Sequence, residues 1–274
     1  MSPFKKNETS NPATACRPWF PFISFVRTRH WKKKFAKILL SQKLPEQLLQ
    51  RRPHHSQLLA AIPNIQYGFG HAREFVPAPL AGHWDTVPDK LQVHGIRVVE
   101  VTTPRQDCGD ADAFFTRLPG IPVTVITADC VPVLLARRDG KAIAAAHAGW
   151  RGMVGGVIET LWQELAAQGE QPQDWVAAIG AHIGPCCFEV SEELADEFVT
   201  RYPDVDASAL RPRHRHINLN ILARRALQQI GISEIDHETP CTMCSKTPEG
   251  KYVFRSYRRG DRNSFQHSGL VILS

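Results

Sequence analysis

Residues Ile121 to Ala136 read Ile-Pro-Val-Thr-Val-Ile-Thr-Ala-Asp-Cys-Val-Pro-Val-Leu-Leu-Ala. Nearly every position is apolar or β-branched, the pattern of a buried strand rather than of an amphipathic helix. Arg137-Arg-Asp-Gly140 bounds the run as a turn, and Ala142–Ala146 is a second short apolar segment. The two predict a hairpin, with Asp-Gly as its turn signal. Pro132 brings no N–H to a ladder, so a break or bulge is expected there instead of one unbroken central strand.

Working outward, Ile65–Phe69, Val93–Val101, Trp175–Ile183, Tyr252–Ser256 and Leu270–Leu273 read as further strands. Residues 153–168 predict a helix. Val154, Val157, Ile158, Leu161, Trp162 and Leu165 fall on one face, and Gly169 stops the helix. Ser191 is placed to cap a short helix carrying Leu194 and Phe198. Leu219, Leu222, Ala226, Leu227 and Ile230 mark another helix, ended by Gly231. Residues 56–274 therefore read as one domain of α+β (mixed α/β) class, with no internal repeat.

The 274 residues are 43% hydrophobic and 22% charged, which excludes a wholly disordered chain. Seven cysteines and 18 glycines exclude disulfide-dense and collagen-like classes, and no stretch of 18 apolar residues suggests a membrane span. The net charge of +6 is unevenly divided. Residues 1–55 hold 12 Lys/Arg against 2 Asp/Glu, and residues 56–274 hold 21 against 25. The basic character thus belongs to the N-terminal arm, and the body gives no support for a nucleic-acid-binding face. Residues 1–55 read as a solvated, mobile extension; a targeting peptide or a patch for anionic surfaces are the sharper alternatives. An odd cysteine count and no secretory signal pattern point to reduced thiols in the cytoplasm.

Three segments carry candidate chemistry: Gln92-Val-His-Gly95, Thr127-Ala-Asp-Cys130 and Ala146-His-Ala-Gly-Trp-Arg-Gly152. One thiolate and two imidazoles suit zinc with a fourth position left open. The same atoms suit a Cys–His nucleophilic pair, and the residues alone leave both open. Arg151, at the start of the predicted helix and beside glycines 149, 152, 155 and 156, favours an anion such as phosphate. Asp129 is placed to orient a histidine, to accept a substrate hydroxyl, or to make an ordinary strand-end hydrogen bond. Of Arg255, Arg258 and Arg259, strand alternation lets one enter a site, Arg258 being the candidate, while at least two are expected to be solvated. Cys186-Cys187 and Cys241-Thr-Met-Cys244 lack a second C-x-x-C or H-x-x-x-H partner, so all four are read as structural thiols rather than a zinc site or a redox pair.

Five segments occur together and in one order: Gln92-Val-His-Gly95, Thr127-Ala-Asp-Cys-Val-Pro-Val-Leu-Leu135, Ala144-Ala-Ala-His-Ala-Gly-Trp-Arg-Gly152, Ile183-Gly-Pro-Cys-Cys-Phe-Glu-Val190, and Cys241-Thr leading to Ser256-Tyr-Arg-Arg259. Over about residues 60–274 the chain resembles the laccase-domain family, also described as bacterial polyphenol oxidases or purine nucleoside phosphorylases. The resemblance implies a layered α/β/β/α fold like the catalytic domain of a Cys–His toxin deamidase. It implies a metal site of His94, Cys130 and His147, holding zinc or sometimes copper, with the same three residues catalytic. It implies phosphorolysis of adenosine, inosine and methylthioadenosine, together with adenosine deamination. Gln92, Asp129, Arg151 and Arg258 are the expected substrate contacts. Purine nucleoside and phosphate are the expected small-molecule partners of a monomer or weak homodimer. Editing of peptidoglycan precursors by a Cys–His amide hydrolase and copper-dependent phenol oxidation are the alternatives. The chain departs from the family at Gly68-Phe-Gly-His-Ala-Arg-Glu74, with a shortened run to Leu91, and at Gly260-Asp-Arg-Asn-Ser-Phe-Gln-His267.

Overall fold

The run at 121–136 forms two strands, and the rest of the architecture is built against them. The computed structural model describes residues 55–237 and 239–274, so the expected extension lies, but for His55, outside the described residues. In chain order the strands are β1 (Ile65–Phe69), β2 (Asp89–Leu91), β3 (Val98–Glu100), β4 (Asp107–Asp110), β5 (Ala113–Thr116) and β6 (Val123–Thr127). There follow β7 (Val131–Arg137), β8 (Ile143–Ala148), β9 (Trp175–Ile179), β10 (Ile235–Asp236) and β11 (Gln266–Ile272). The helices are α1 (Gln57–Ala60), α2 (Ala78–Ala81), α3 (Trp150–Gly155), α4 (Val157–Ala167), α5 (Glu192–Arg201), α6 (Ala207–Leu210) and α7 (Leu219–Ile230).

The predicted hairpin is β7–β8, turned at Gly140 in the left-handed region (φ +72°). It sits at the centre of a mixed six-stranded sheet of order β10-β9-β7-β8-β5-β3. Strand alternation gives that sheet two apolar faces. Val131, Val133 and Leu135 of β7 join Ala144, Ala146 and Ala148 of β8 beneath a helical layer, where α4 contributes Ile158, Leu161 and Leu165 and α7 contributes Leu222 and Leu227. Leu134, Ile143 and Ala145 face the other way. There they pack on Val123, Val125, Leu270 and Ile272 of a three-stranded antiparallel sheet, β1-β11-β6. Each fully buried aliphatic side chain contributes about 1.5–3 kcal/mol, so two dry cores on one sheet account for its position at the centre of the fold. The expected fourth layer is thin: α2 lies over the three-stranded sheet, with Pro77 at its N-cap seated so close to Gly68 that a Cβ there would come within 2.3 Å of the proline ring.

Several boundaries differ from the sequence reading. The break in 121–136 falls at Ala128-Asp129-Cys130, not at Pro132. Pro132 lies within β7 opposite His147, and its carbonyl accepts from Gly180 N–H just beyond the last β7–β9 pair, Val133 with Ile179. The missing proline N–H would point to the Gly180 carbonyl on that same side, and His182 Nδ1 stands 2.9 Å from that carbonyl instead. The helix predicted over 153–168 is two helices, parted at Gly156, whose φ of +88° only glycine adopts easily. The strand expected over Val93–Val101 contracts to β3, because the backbone at 93–95 turns inward to a buried carboxylate. Tyr252–Ser256 is irregular apart from an isolated antiparallel bridge of Tyr252 to Lys246, and it is held by hydrogen bonds from Arg259 to Phe254 O and from Asp261 N–H to Ser256 O. Trp175–Ile183 is strand only as far as Ile179. Ser191 caps α5 through Leu194 N–H, and Gly231 (φ +103°) ends α7, as expected.

Candidate metal centre

His147 is the most deeply placed of the three predicted ligands, on β8 and 3% exposed. Its parity on the strand matches Ile143 and Ala145, so its ring faces the three-stranded sheet side. The β5–β8 register pairs Ala113 with Ala146, which brings Asp112 beside His147. His147 N–H donates to Asp112 O at 2.7 Å, and ring atom Nδ1 lies 2.7 Å from Asp112 Oδ1. With Nδ1 engaged, Nε2 is the nitrogen left for chemistry.

Asp112 is fully buried, and the same carboxylate accepts three backbone N–H groups: Val93 at 3.2 Å, His94 at 3.0 Å and Gly95 at 2.8 Å. These bonds curl the 93–95 loop around the carboxylate and hold His94 in the left-handed region (φ +62°). His94, partly exposed, then reaches back so that Nε2 lies 3.6 Å from Cys130 Sγ. Cys130 stands on the tight β6–β7 connection, next to Asp129 at φ +94°. The His94 and His147 rings meet edge-on at 4.8 Å, and the three ligand atoms all lie within 4.8 Å of one another. Gly149 forms the near wall. A Cβ there would come within 2.6 Å of His94 Cδ2 and 3.1 Å of Cys130 Sγ.

Burial opposes charge on both Cys130 and His147, yet their mutual attraction outweighs it. Together with hydrogen bonds from both imidazoles it brings the Cys130 thiol down to about 6. With the Asp112 hydrogen bond it lifts His147 to about 9. Both shifts favour the thiolate–imidazolium form of the pair. One soft sulfur and two imidazole nitrogens converging at this spacing fit a zinc or copper ion, which would take the sulfur already ionised and displace the proton from His147 Nε2.

The other predicted contacts are placed as follows. Gln92 spends its amide on the backbone, giving Nε2–H to Ile126 O at 2.8 Å and accepting Ile126 N–H at 2.7 Å. It latches the His94 loop to β6. Asp129 orients no histidine. It accepts from Thr242 Oγ1 (2.6 Å), Ser256 Oγ (3.0 Å) and Arg258 N–H (2.7 Å), the strand-end alternative among its three readings. Arg258 donates Nη1–H to Glu189 O at 2.8 Å and lies over the Phe188 ring. Arg151 is exposed on the first turn of α3, its guanidinium 4.4 Å from the centre of the Trp150 ring. The expectation of two solvated arginines does not hold at 255–259. Arg255 donates to Ala72 O, and Arg259 donates to the carbonyls of Thr242, Met243 and Phe254.

Sequence reasoning missed Asp112. Its signal was an acidic residue inside the apolar run Ala111-Asp-Ala-Phe-Phe115, since a buried carboxylate needs partners. Sequence reasoning also kept the two cysteine pairs apart, whereas the structure brings the sulfurs of Cys186, Cys187, Cys241 and Cys244 within 4.8 Å of one another.

Fold and site define a mixed α/β protein with a His/Cys/His cluster able to hold a metal ion, placed where two sheets meet. Residues 79–273 match the family described as multi-copper polyphenol oxidoreductase laccase. The chain belongs to this family. It is 37% identical to a Pseudomonas aeruginosa protein named purine nucleoside phosphorylase PA4543, over 62% of this chain and 68% of that one. It is 31% identical to adenosine deaminase RL5, from an unknown prokaryotic organism, over 55% of this chain and 60% of that one. The crystal structure of Neisseria meningitidis protein NMB0706 superposes with a TM-score of 0.60 at 30% identity, covering 71% of this chain and 78% of that chain. Among the described residues no helix is long and apolar enough to cross a membrane.

Proposed function

We propose that this chain is a purine nucleoside phosphorylase with adenosine deaminase activity, working at a zinc site made by His94, Cys130 and His147. The convergence of those three side chains on one point, backed by the Asp112 carboxylate, is the observation that carries the reading. The names of its relatives support the substrate class. A divalent cation held there supplies Lewis acidity toward a substrate oxygen or a water. Copper competes for the same N/S donors, and zinc is the better match to a site with no redox task.

The chain's own residues do the rest. Asp112 fixes the tautomer of His147 and the position of the His94 backbone, so the site is rigid before substrate enters. In phosphorolysis a phosphate oxygen bonds to C1′ as the C1′–N9 bond breaks, and the purine leaves with that electron pair and needs a proton. Exposed Arg151, four residues after His147, is the cation for phosphate; Gln92, Asp129 and Arg258 shape the substrate side through the loops they tie down. Six described cysteines are free thiols, which supports a reducing cytoplasmic setting.

Cys130→Ser is expected to lose zinc and turnover together. Adenosine incubated with and without phosphate then tells the reactions apart: adenine and ribose-1-phosphate report phosphorolysis, and inosine reports deamination. Full activity in Cys130→Ser overturns the assignment. A second reading rests on the Cys130–His147–Asp112 relay, which also has the layout of a Cys–His amide hydrolase. It predicts an acyl group trapped on Cys130 and activity that survives chelation.

A further inference from the structure

Cys186 and Cys187 lie in the turn that follows β9, where Cys187 N–H and Phe188 N–H both return to Gly184 O. Cys241 and Cys244 lie in a second turn, closed by Ser245 N–H on Cys241 O. A parallel bridge between His182 and Cys241 sets the turns side by side, with Thr242 N–H donating to His182 O at 2.9 Å. Cys186 Sγ and Cys244 Sγ stand 3.6 Å apart across 58 residues of sequence. A disulfide would need about 2.05 Å. Four sulfurs around one zinc at about 2.3 Å stand about 3.8 Å from each other, and the four here all lie within 4.8 Å of one another.

We propose that Cys186, Cys187, Cys241 and Cys244 form a second metal centre, a four-thiolate zinc site that is structural and separate from His94, Cys130 and His147. All four coordination positions are filled by protein, the hallmark of a structural site. The surroundings suit thiolate charge. Gly184 N–H donates to Cys241 Sγ at 3.2 Å, Arg213 reaches Cys186 O at 2.8 Å, and Arg259 reaches Met243 O at 2.8 Å.

The centre has a structural consequence. Thr242, between two of the ligands, donates to Asp129 at 2.6 Å, and Ile183 N–H donates to Asp129 O at 2.9 Å. Asp129 is the residue before Cys130. The four-sulfur clasp therefore braces the connection that presents Cys130.

The test uses the full chain carrying Cys130→Ala, which removes a ligand of the first site only. After dialysis it is expected to retain one zinc per chain. Cobalt(II) in its place is expected to give the near-ultraviolet sulfur-to-metal band and visible bands of a tetrahedral thiolate site. Four thiols should resist alkylation until a chelator is added. Adding Cys244→Ser should abolish zinc retention. Cys244→His keeps a fourth ligand, so it should retain zinc while weakening the sulfur-to-cobalt band, which separates ligand loss from loss of fold. A Cys130→Ala protein that binds no zinc, zinc content unmoved by Cys186→Ser and Cys244→Ser, or disulfides among the four in freshly purified protein would each overturn the proposal. These readouts do not depend on turnover, so failure of the nucleoside reading leaves them unchanged.

Discussion

Asp112→Asn should damage both stability and metal binding, and the two costs can be estimated from the hydrogen bonds. The carboxylate accepts from Val93, His94 and Gly95 N–H and from the His147 ring, at 2.7–3.2 Å and with no exposure to water. An asparagine offers one carbonyl, enough for about two of these donors, and points its own NH2 at the others. Hydrogen bonds to a charged group are worth about 1.5–3 kcal/mol each. Losing two sums to about 3–6 kcal/mol, and breaking a buried charged pair typically costs about 3–5 kcal/mol. For a domain of this size that lowers the thermal midpoint by about 6–20 °C. The His147 ring loses its tautomer lock, and comparable losses behind a metal ligand weaken affinity by about 10–100-fold. Urea unfolding gives the first quantity and zinc competition with a chromophoric chelator the second. The reasoning is refuted if the variant unfolds within about 1 kcal/mol of the parent and binds zinc within about threefold.

Gly149→Ala should separate site from fold. The added methyl strikes His94 and Cys130, so zinc affinity is expected to fall at least about tenfold while unfolding changes by no more than about 1–3 kcal/mol, read by the same two assays. Glu170→Gln should do the reverse. That buried carboxylate accepts from Arg117, Arg137 and Trp175 Nε1, so its loss is expected to cost about 2–3 kcal/mol, discounted for the partial exposure of both arginines, with zinc affinity unchanged. His267 sets a pH dependence. Burial first, and Lys90 second, depress its imidazole to about 3, so the unfolded chain takes up a proton near pH 6.5 that the folded chain refuses. Its contribution is whole above that pH and drains away as pH falls toward 3. Urea midpoints measured between pH 7 and pH 4 should drop less steeply in His267→Gln, and an unaltered slope would count against the assignment.

Local signals were readable where one segment supplies both cause and effect. The Asp139-Gly140 turn, the Ser191 cap, the Gly231 stop and the apolar face of α4 all depend on residues a few positions apart. The split at Gly156 was also local, a glycine inside a helical pattern, yet periodicity alone ran through it. The contraction of Val93–Val101 could not be read locally, because what bends that segment is a carboxylate 17–19 residues away. Gln92 and Asp129 show the same limit. Both stand in segments that mark the site, and both spend their polar atoms holding loops in place.

The order of segments along the chain pointed, through resemblance, to the family, the mixed α/β class and the candidate trio His94, Cys130 and His147, since segment order is a property of covalent sequence. Only tertiary structure decided that Asp112 faces His147, through the β5–β8 register, and that two cysteine pairs 58 residues apart share one point. Pairing across strands and turns is set by the burial of two opposed apolar faces on one sheet. That balance is summed over the whole domain, and no single segment carries it.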